Sequence, residues 1–249
     1  MYVVAICGLA RSAEQEAPEL ARDTGQTPYE ARLKLSRGLP AIVLRTEDQA
    51  AAVALLGKLR ARGHEAFACD EAAVASGERI VHVRNFGLGE TSLESNGANL
   101  PYSAMLALVR AMRPLHTDVK EKTTERRFRP GMALATGGLV LSKKVTRESS
   151  RTERDKEDVL YVFASSSSPW LLTERGLVYA SLANPAPTQR ENFLRVVAEL
   201  RVRAPSTPYD ERLLTFRPQN DEPDLAEREL DLHAHVLALA LHRAAARDR

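Results

Sequence analysis

Residues 24–30 read Thr24-Gly25-Gln26-Thr27-Pro28-Tyr29-Glu30, and the fold of the N-terminal part is decided there. Thr27 and Glu30 stand three apart, the spacing at which a hydroxyl and a carboxylate each satisfy a backbone N–H that a helix leaves free in its first turn. Pro28 suits the first helical position, where its fixed φ fits and its missing N–H is not needed. The pattern predicts a short helix over 28–37. Ala31, Leu35 and, on the flank, Leu33 give its apolar side, Arg32, Lys34 and Arg37 its wet side, and Gly38 can take the left-handed position past its end.

Outward from that helix, Ala41-Ile42-Val43-Leu44 is an unbroken apolar run too brief for a helix, which predicts a central strand covered on both faces. Thr46 and Gln49 repeat the capping pattern. Ala51, Ala54, Leu55, Lys58 and Leu59 then fall at helical spacing before Gly63, so a helix is expected over 47–62. Ala66-Phe67-Ala68-Cys69 reads as a strand and Tyr2-Val3-Val4-Ala5-Ile6-Cys7 as an earlier one. The expected order is strand, helix, helix, strand, helix, strand, with Glu14, Glu16 and Glu19 on the first helix.

Over residues 20–70 this order is joined by a wording: Arg22 before Asp23-Thr24-Gly25, then Glu30-Ala31-Arg32, Pro40, and Lys58-Leu59-Arg60-Ala61-Arg62-Gly63. It resembles the C-terminal domain of the bacterial ribosomal stalk protein of the large subunit. The resemblance implies a small three-stranded α/β sandwich, and a partner-docking face on the first two helices with Arg22 and Arg32 at matching positions. That family docks translation factors through a basic surface. Here the glutamates of the first helix make the surface mixed, so the fold is carried over and the ribosomal role is not.

The chain has 249 residues, 44% hydrophobic and 27% charged, with a net charge of +2. Such a length suits one large domain or two small ones, and two are expected: 1–72 and 79–249, joined by the small-residue bridge Glu71 to Glu78. No apolar run approaches the length of a membrane span, and the N-terminus runs straight into a strand with no basic leader, so the expected address is the cytoplasm. The charge is too small to announce nucleic acid by itself. Cys7 and Cys69, both in expected core strands, read as buried apolar fillers.

Past residue 79 the texture becomes antiparallel. Ile80 to Phe86 and Thr91 to Ser95 alternate apolar and polar residues, and Asn96-Gly97 is a hairpin turn signal. Residues 102–112 fit either a helix or a strand. Val159 to Phe163, Trp170 to Leu172 and Gly176 to Leu182 read as strands. Thr188 with Glu191 caps a helix carrying Phe193, Val196, Val197 and Leu200, and a final helix carries Leu230, Val236, Leu237, Leu239 and Leu241. Residues 80–203 resemble, at the level of architecture, the bacterial pleckstrin-homology-like domains. The expected class is therefore α+β, the sandwich being followed by an antiparallel β barrel or bent sheet capped by C-terminal helices.

A basic insertion spans about 114–158. Its charges are expected in two exposed loops flanking a strand at 133–141, which makes Lys122, Arg126, Arg127, Arg129, Lys143, Lys144 and Arg147 candidates for an anionic membrane surface or nucleic acid. Catalytic patterns fail on inspection. Gly87-Leu88-Gly89 opens no helix. His233 and His235 point to different helix faces, although His235 shares one with Asp231 and with His242. Ser165 to Ser168 lack a nucleophile elbow. Trp170 reads as a core anchor ahead of a binding aromatic. No cofactor is expected, and the expectation is a non-enzymatic adaptor or regulatory protein of a bacterium, with an unidentified protein partner. Polyanion binding and an enzyme without a readable motif are the alternatives.

Overall fold

Ser12 accepts a hydrogen bond from the backbone N–H of Gln15, whose side chain answers to the N–H of Ser12, and the first helix starts on that reciprocal cap. In the computed structural model residues 1–74, 79–128, 142–165, 167–219 and 222–247 are described, with the backbone alone at 116–128, 142–154 and 247. Strand β1 (Tyr2–Gly8) precedes α1 (Ala13–Thr24), α2 (Pro28–Ser36), β2 (Ala41–Thr46), α3 (Gln49–Ala61) and β3 (Glu65–Asp70), in the expected order. The Thr27 and Glu30 cap is present on α2: the Glu30 N–H reaches Thr27 Oγ1 at 3.2 Å and the Thr27 N–H reaches Glu30 Oε2 at 2.8 Å.

Two local expectations are corrected. The cap of α3 is Asp48, whose carboxylate accepts from the N–H groups of Ala50 and Ala51; Thr46 accepts from the Asp48 N–H instead. The central strand is β1 and β2 is an edge, because the sheet runs β2-β1-β3 with antiparallel pairs. Burial explains the placement: Val3, Val4, Ala5 and Ile6 are all fully buried, so side chains on both faces of β1 are covered.

The remaining strands are β4 (Val81–Val83), β5 (Gly87–Leu88), β6 (Ser92–Ser95), β7 (Ala98–Pro101), β8 (Met105–Phe128), β9 (Ser142–Ala164), β10 (Trp170–Thr173) and β11 (Tyr209–Leu213). The helices α4 (Gln189–Arg203) and α5 (Pro223–Arg247) complete the described elements. The class is α+β with three sheets, and among the described residues none closes into a barrel. A five-stranded sheet has the order β11-β8-β9-β10-β4, with β4 parallel to β10 and β11 parallel to β8, so it is mixed rather than purely antiparallel. The third sheet, β5-β6-β7, contains the Asn96-Gly97 hairpin, and both turn residues have positive φ.

Residues 102–112 resolve as a 3-10 turn followed by the start of β8. The strand expected over Gly176 to Leu182 is not formed: its only ladder contact is a single bridge from Val178 to Asn85, and Tyr179–Ser181 is a 3-10 turn. The basic candidates also move. Lys122, Arg126 and Arg127 lie on β8, and Lys143, Lys144 and Arg147 on β9, neighbouring strands of one sheet rather than separate loops. Arg129 and the strand expected at 133–141 lie outside the described residues.

The chain falls into two compact units, one of Met1–Arg113 with Glu157–Arg249 and one of Pro114–Lys156, which holds the remainder of β8 and β9. Within the first unit, α1, α2 and α3 cover one face of the β1 sheet with Leu20, Leu35, Leu55 and Leu59. Helix α5 covers the other: Leu232, Val236 and Ala240, at i, i+4, i+8, meet Val3, Ala5 and Cys7. Its Leu230, Ala234 and Leu237 meet Val109, Val159, Tyr161 and Leu171 of the five-stranded sheet. A helix apolar on two sides is the expected filler between two sheets. The opposite face of the five-stranded sheet packs on α4 through Phe193, Val196 and Leu200, with Leu93, Trp170 and Leu172 in the same core.

Candidate functional site

Because β2 ends its sheet, its outer main-chain groups have no strand partner among the described residues, and a cleft of about 560 Å3, of mixed polar and apolar lining, runs along them. Ile42, Val43, Leu44 and Arg45 all line it. Alternate residues of a strand point to opposite faces, so four consecutive residues in one wall mean that the main-chain edge faces the cleft. Leu225, Arg228 and Glu229 of α5 line it too, as do Gln26 and Lys34.

Gln26 Nε2 donates to the Val43 carbonyl at 3.4 Å, while among the described residues its Oε1 is buried without a hydrogen-bond partner. Glu229 is occupied by the Gln219 N–H at 2.8 Å, and Arg45 stands 3.8 Å from Glu71. Lys34 is half-buried, and burial lowers its ammonium pKa against the opposing pull of Glu30. Among the described residues neither Lys34 nor Arg228 forms an ion pair. The cleft therefore offers two cations outside ion pairs, Lys34 and Arg228, beside the pair Arg45 and Glu71, a strand edge on which the Val43 carbonyl is already taken, and the Gln26 amide oxygen.

A second cavity, of about 320 Å3, is mainly apolar. Leu106, Phe163, Ala238 and Leu239 make its floor, and Arg79, Ser167, Ser168, His235 and His242 also line it. His235 meets Phe163 edge-on, with ring centroids 5.7 Å apart. Burial lowers its pKa, which favours the uncharged ring, and among the described residues its Nδ1 is buried without a hydrogen-bond partner. Ser167 and Ser168 of the serine run and the histidines His235 and His242, separate in the sequence, border one cavity.

The histidines of α5 do not converge on a metal. His233 Nδ1 contacts the Glu229 carbonyl at 2.7 Å, and burial pushes its pKa down to about 4. Asp231 accepts from the Tyr161 hydroxyl at 2.8 Å, deep in the core. Among the described residues no group of three or more His, Cys, Asp or Glu is placed to hold a metal ion.

Arg22 and Arg32 are both exposed on the face of α1 and α2, each already paired, with Glu19 and with Glu14 at 3.6 Å respectively. The Gly87-Leu88-Gly89 stretch is a strand and turn whose Gly89 carbonyl accepts from the Tyr102 hydroxyl at 3.0 Å and from Arg203 at 2.8 Å. Trp170 is buried in the core. Sequence reasoning missed the buried Glu16, which sits among His64, Arg11 and Arg62. The signal was present: Glu16 lies four residues before Leu20 and next to Ala17, on the apolar side of α1.

No family model, no curated protein and no solved structure matches the chain. Among the described residues no helix is long and apolar enough to cross a membrane.

Proposed function

We propose that this is a non-enzymatic interaction protein, of the adaptor or regulatory kind, that docks an extended segment of a protein partner along the free edge of β2. The supporting observation is the cleft itself, where main-chain groups of 42–45 meet the two cations Lys34 and Arg228. An incoming strand adds backbone hydrogen bonds to such an edge and takes its specificity from flanking side chains. Its N–H groups also supply the donor that buried Gln26 Oε1 lacks, and an acidic side chain on it complements the cations. The resemblance of residues 20–70 to the stalk-protein domain favours the same class of activity, with Arg22 and Arg32 as a second docking face.

The faces separate by charge reversal in the full-length protein, with a photo-reactive residue at Leu44 to trap the partner. Lys34→Glu with Arg228→Glu abolishes trapping at an unchanged melting temperature, whereas Arg22→Glu with Arg32→Glu retains it. If the cleft variant still captures the same partner with equal yield, the docking edge is wrongly placed.

A second reading, binding of an anionic membrane surface or nucleic acid, draws support from the basic residues of β8 and β9 falling on neighbouring strands. Binding of this kind weakens steeply with added salt. Absence of binding to RNA, DNA and anionic vesicles at low salt removes it.

A further inference from the structure

The cavity beside His235 has the make-up of a small-ligand site. Its floor comes from rigid elements, Leu106 of β8, Phe163 of β9 and Ala238 and Leu239 of α5, and its volume of about 320 Å3 is that of a pocket for a small molecule. Buried polar atoms in folded proteins are nearly always hydrogen-bonded, so His235 Nδ1, buried and without a partner among the described residues, marks a place where a polar group is missing. Among the described residues the charge around the cavity has one sign. Arg79 lines it, and no described carboxylate does. One Arg79 nitrogen is anchored, Nη1 donating to the Ala72 carbonyl at 2.7 Å, which holds the guanidinium while other N–H groups of its fork stay available.

We propose that this cavity binds a small amphipathic carboxylate, its apolar body against Leu106, Phe163 and Leu239 and its head group toward Arg79. The apolar floor supplies affinity by removing hydrocarbon from water, and the guanidinium selects an anion over a neutral head through a charge-assisted hydrogen bond. The site is separate from the β2 cleft, whose lining it does not share, so it stands or falls independently of the docking reading.

Titration calorimetry of the full-length protein with octanoate and with octanol tests it, with imidazole NMR signals of His235 and His242 reporting the location. Octanoate is expected to bind about tenfold tighter than octanol, the difference a charge-assisted contact makes, and to shift the His235 signals. Arg79→Gln brings octanoate to the level of octanol. Leu239→Trp, at a position 37% exposed on α5, blocks both ligands at an unchanged melting temperature. Equal binding of octanoate and octanol, binding of neither, or octanoate binding that leaves the His235 signals of the wild type unmoved overturns the proposal.

Discussion

His64 Nε2 stands 2.7 Å from Glu16 Oε2, and neither side chain is reached by solvent. The other ring nitrogen, Nδ1, accepts from the backbone N–H of Ala10 at 3.0 Å. The imidazole thus ties the loop after β1 to the start of β3 through α1. Arg62 extends the network by bridging Glu16 and Asp23, at 2.8 and 2.7 Å, and Lys58 adds a second cation on Asp23 at 2.8 Å.

Removing the Glu16 charge takes the buried carboxylate from Arg11 and Arg62, both partly exposed. Glu16→Gln is expected to cost about 1–3 kcal/mol in chemical denaturation at pH 7, the scale of a lost hydrogen-bonded charge. The loss depends on pH with a defined sign. Burial alone would raise the Glu16 pKa, but hydrogen bonds from His64, Arg11 and Arg62 outweigh it and hold the carboxyl below its ordinary 4.5. Its stabilisation is therefore complete above that ordinary value and is lost as pH falls through the folded one. The stability curves of wild type and Glu16→Gln should converge in acid; curves that stay parallel would contradict the assignment.

Residues 1–72 carry the cluster beneath α1, α2 and α3, but their other sheet face, with Val3, Ala5 and Cys7, is covered by α5. Expressed alone, this segment is expected to melt cooperatively and to self-associate through the bared face. A peptide of residues 223–247 added in trans should raise its melting temperature. A transition independent of both protein concentration and peptide would show that α5 contributes nothing there.

Gly57 and Gly97 should respond oppositely to the same change. Neither has a heavy atom within 4 Å of an added Cβ, so packing plays no part. Gly57 lies within α3, where alanine is the better helix former by about 1 kcal/mol, and Gly57→Ala is expected to stabilise. Gly97 sits at φ +80 in the β6-β7 turn, where a Cβ is strained, and Gly97→Ala is expected to destabilise by about 1–2 kcal/mol. Urea midpoints of the two variants check the signs.

The thiols should be inert in the native state. Burial pushes the Cys7 pKa up to about 12 and the Cys69 pKa up to about 11, so the reactive thiolate is scarce at pH 8. Iodoacetamide followed by intact-mass measurement should show no modification until denaturant is added. Rapid native labelling of Cys7 would mean that α5 does not shield β1.

The legible parts of the chain were those whose cause is local. Thr27 with Glu30 and Thr188 with Glu191 start helices by contacts three residues apart, and Asn96-Gly97 turns a hairpin because those two residues tolerate positive φ. The misreadings arose where a competing partner came from afar or from two residues away. Asp48 displaced Thr46 as a cap by reaching two N–H groups at once. Gly176 to Leu182 has strand-like composition, yet among the described residues only Val178 found a bridge partner. Strand β11 carries three charges in five residues, Asp210, Glu211 and Arg212, which hid a strand held by its parallel partner β8.

The sequence by itself determined the starts of α2 and α4, the α+β class and the order of the N-terminal elements, because capping, φ preference and apolar period act over a few residues. Only the tertiary structure decided that β1 rather than β2 is central, that α5 fills the space between two sheets, and that Ser168 borders the same cavity as His235. Strand order and cavity walls are set by which apolar faces cover one another. That is a relation between segments as far apart as Val3 and Val236, and no spacing within either segment records it.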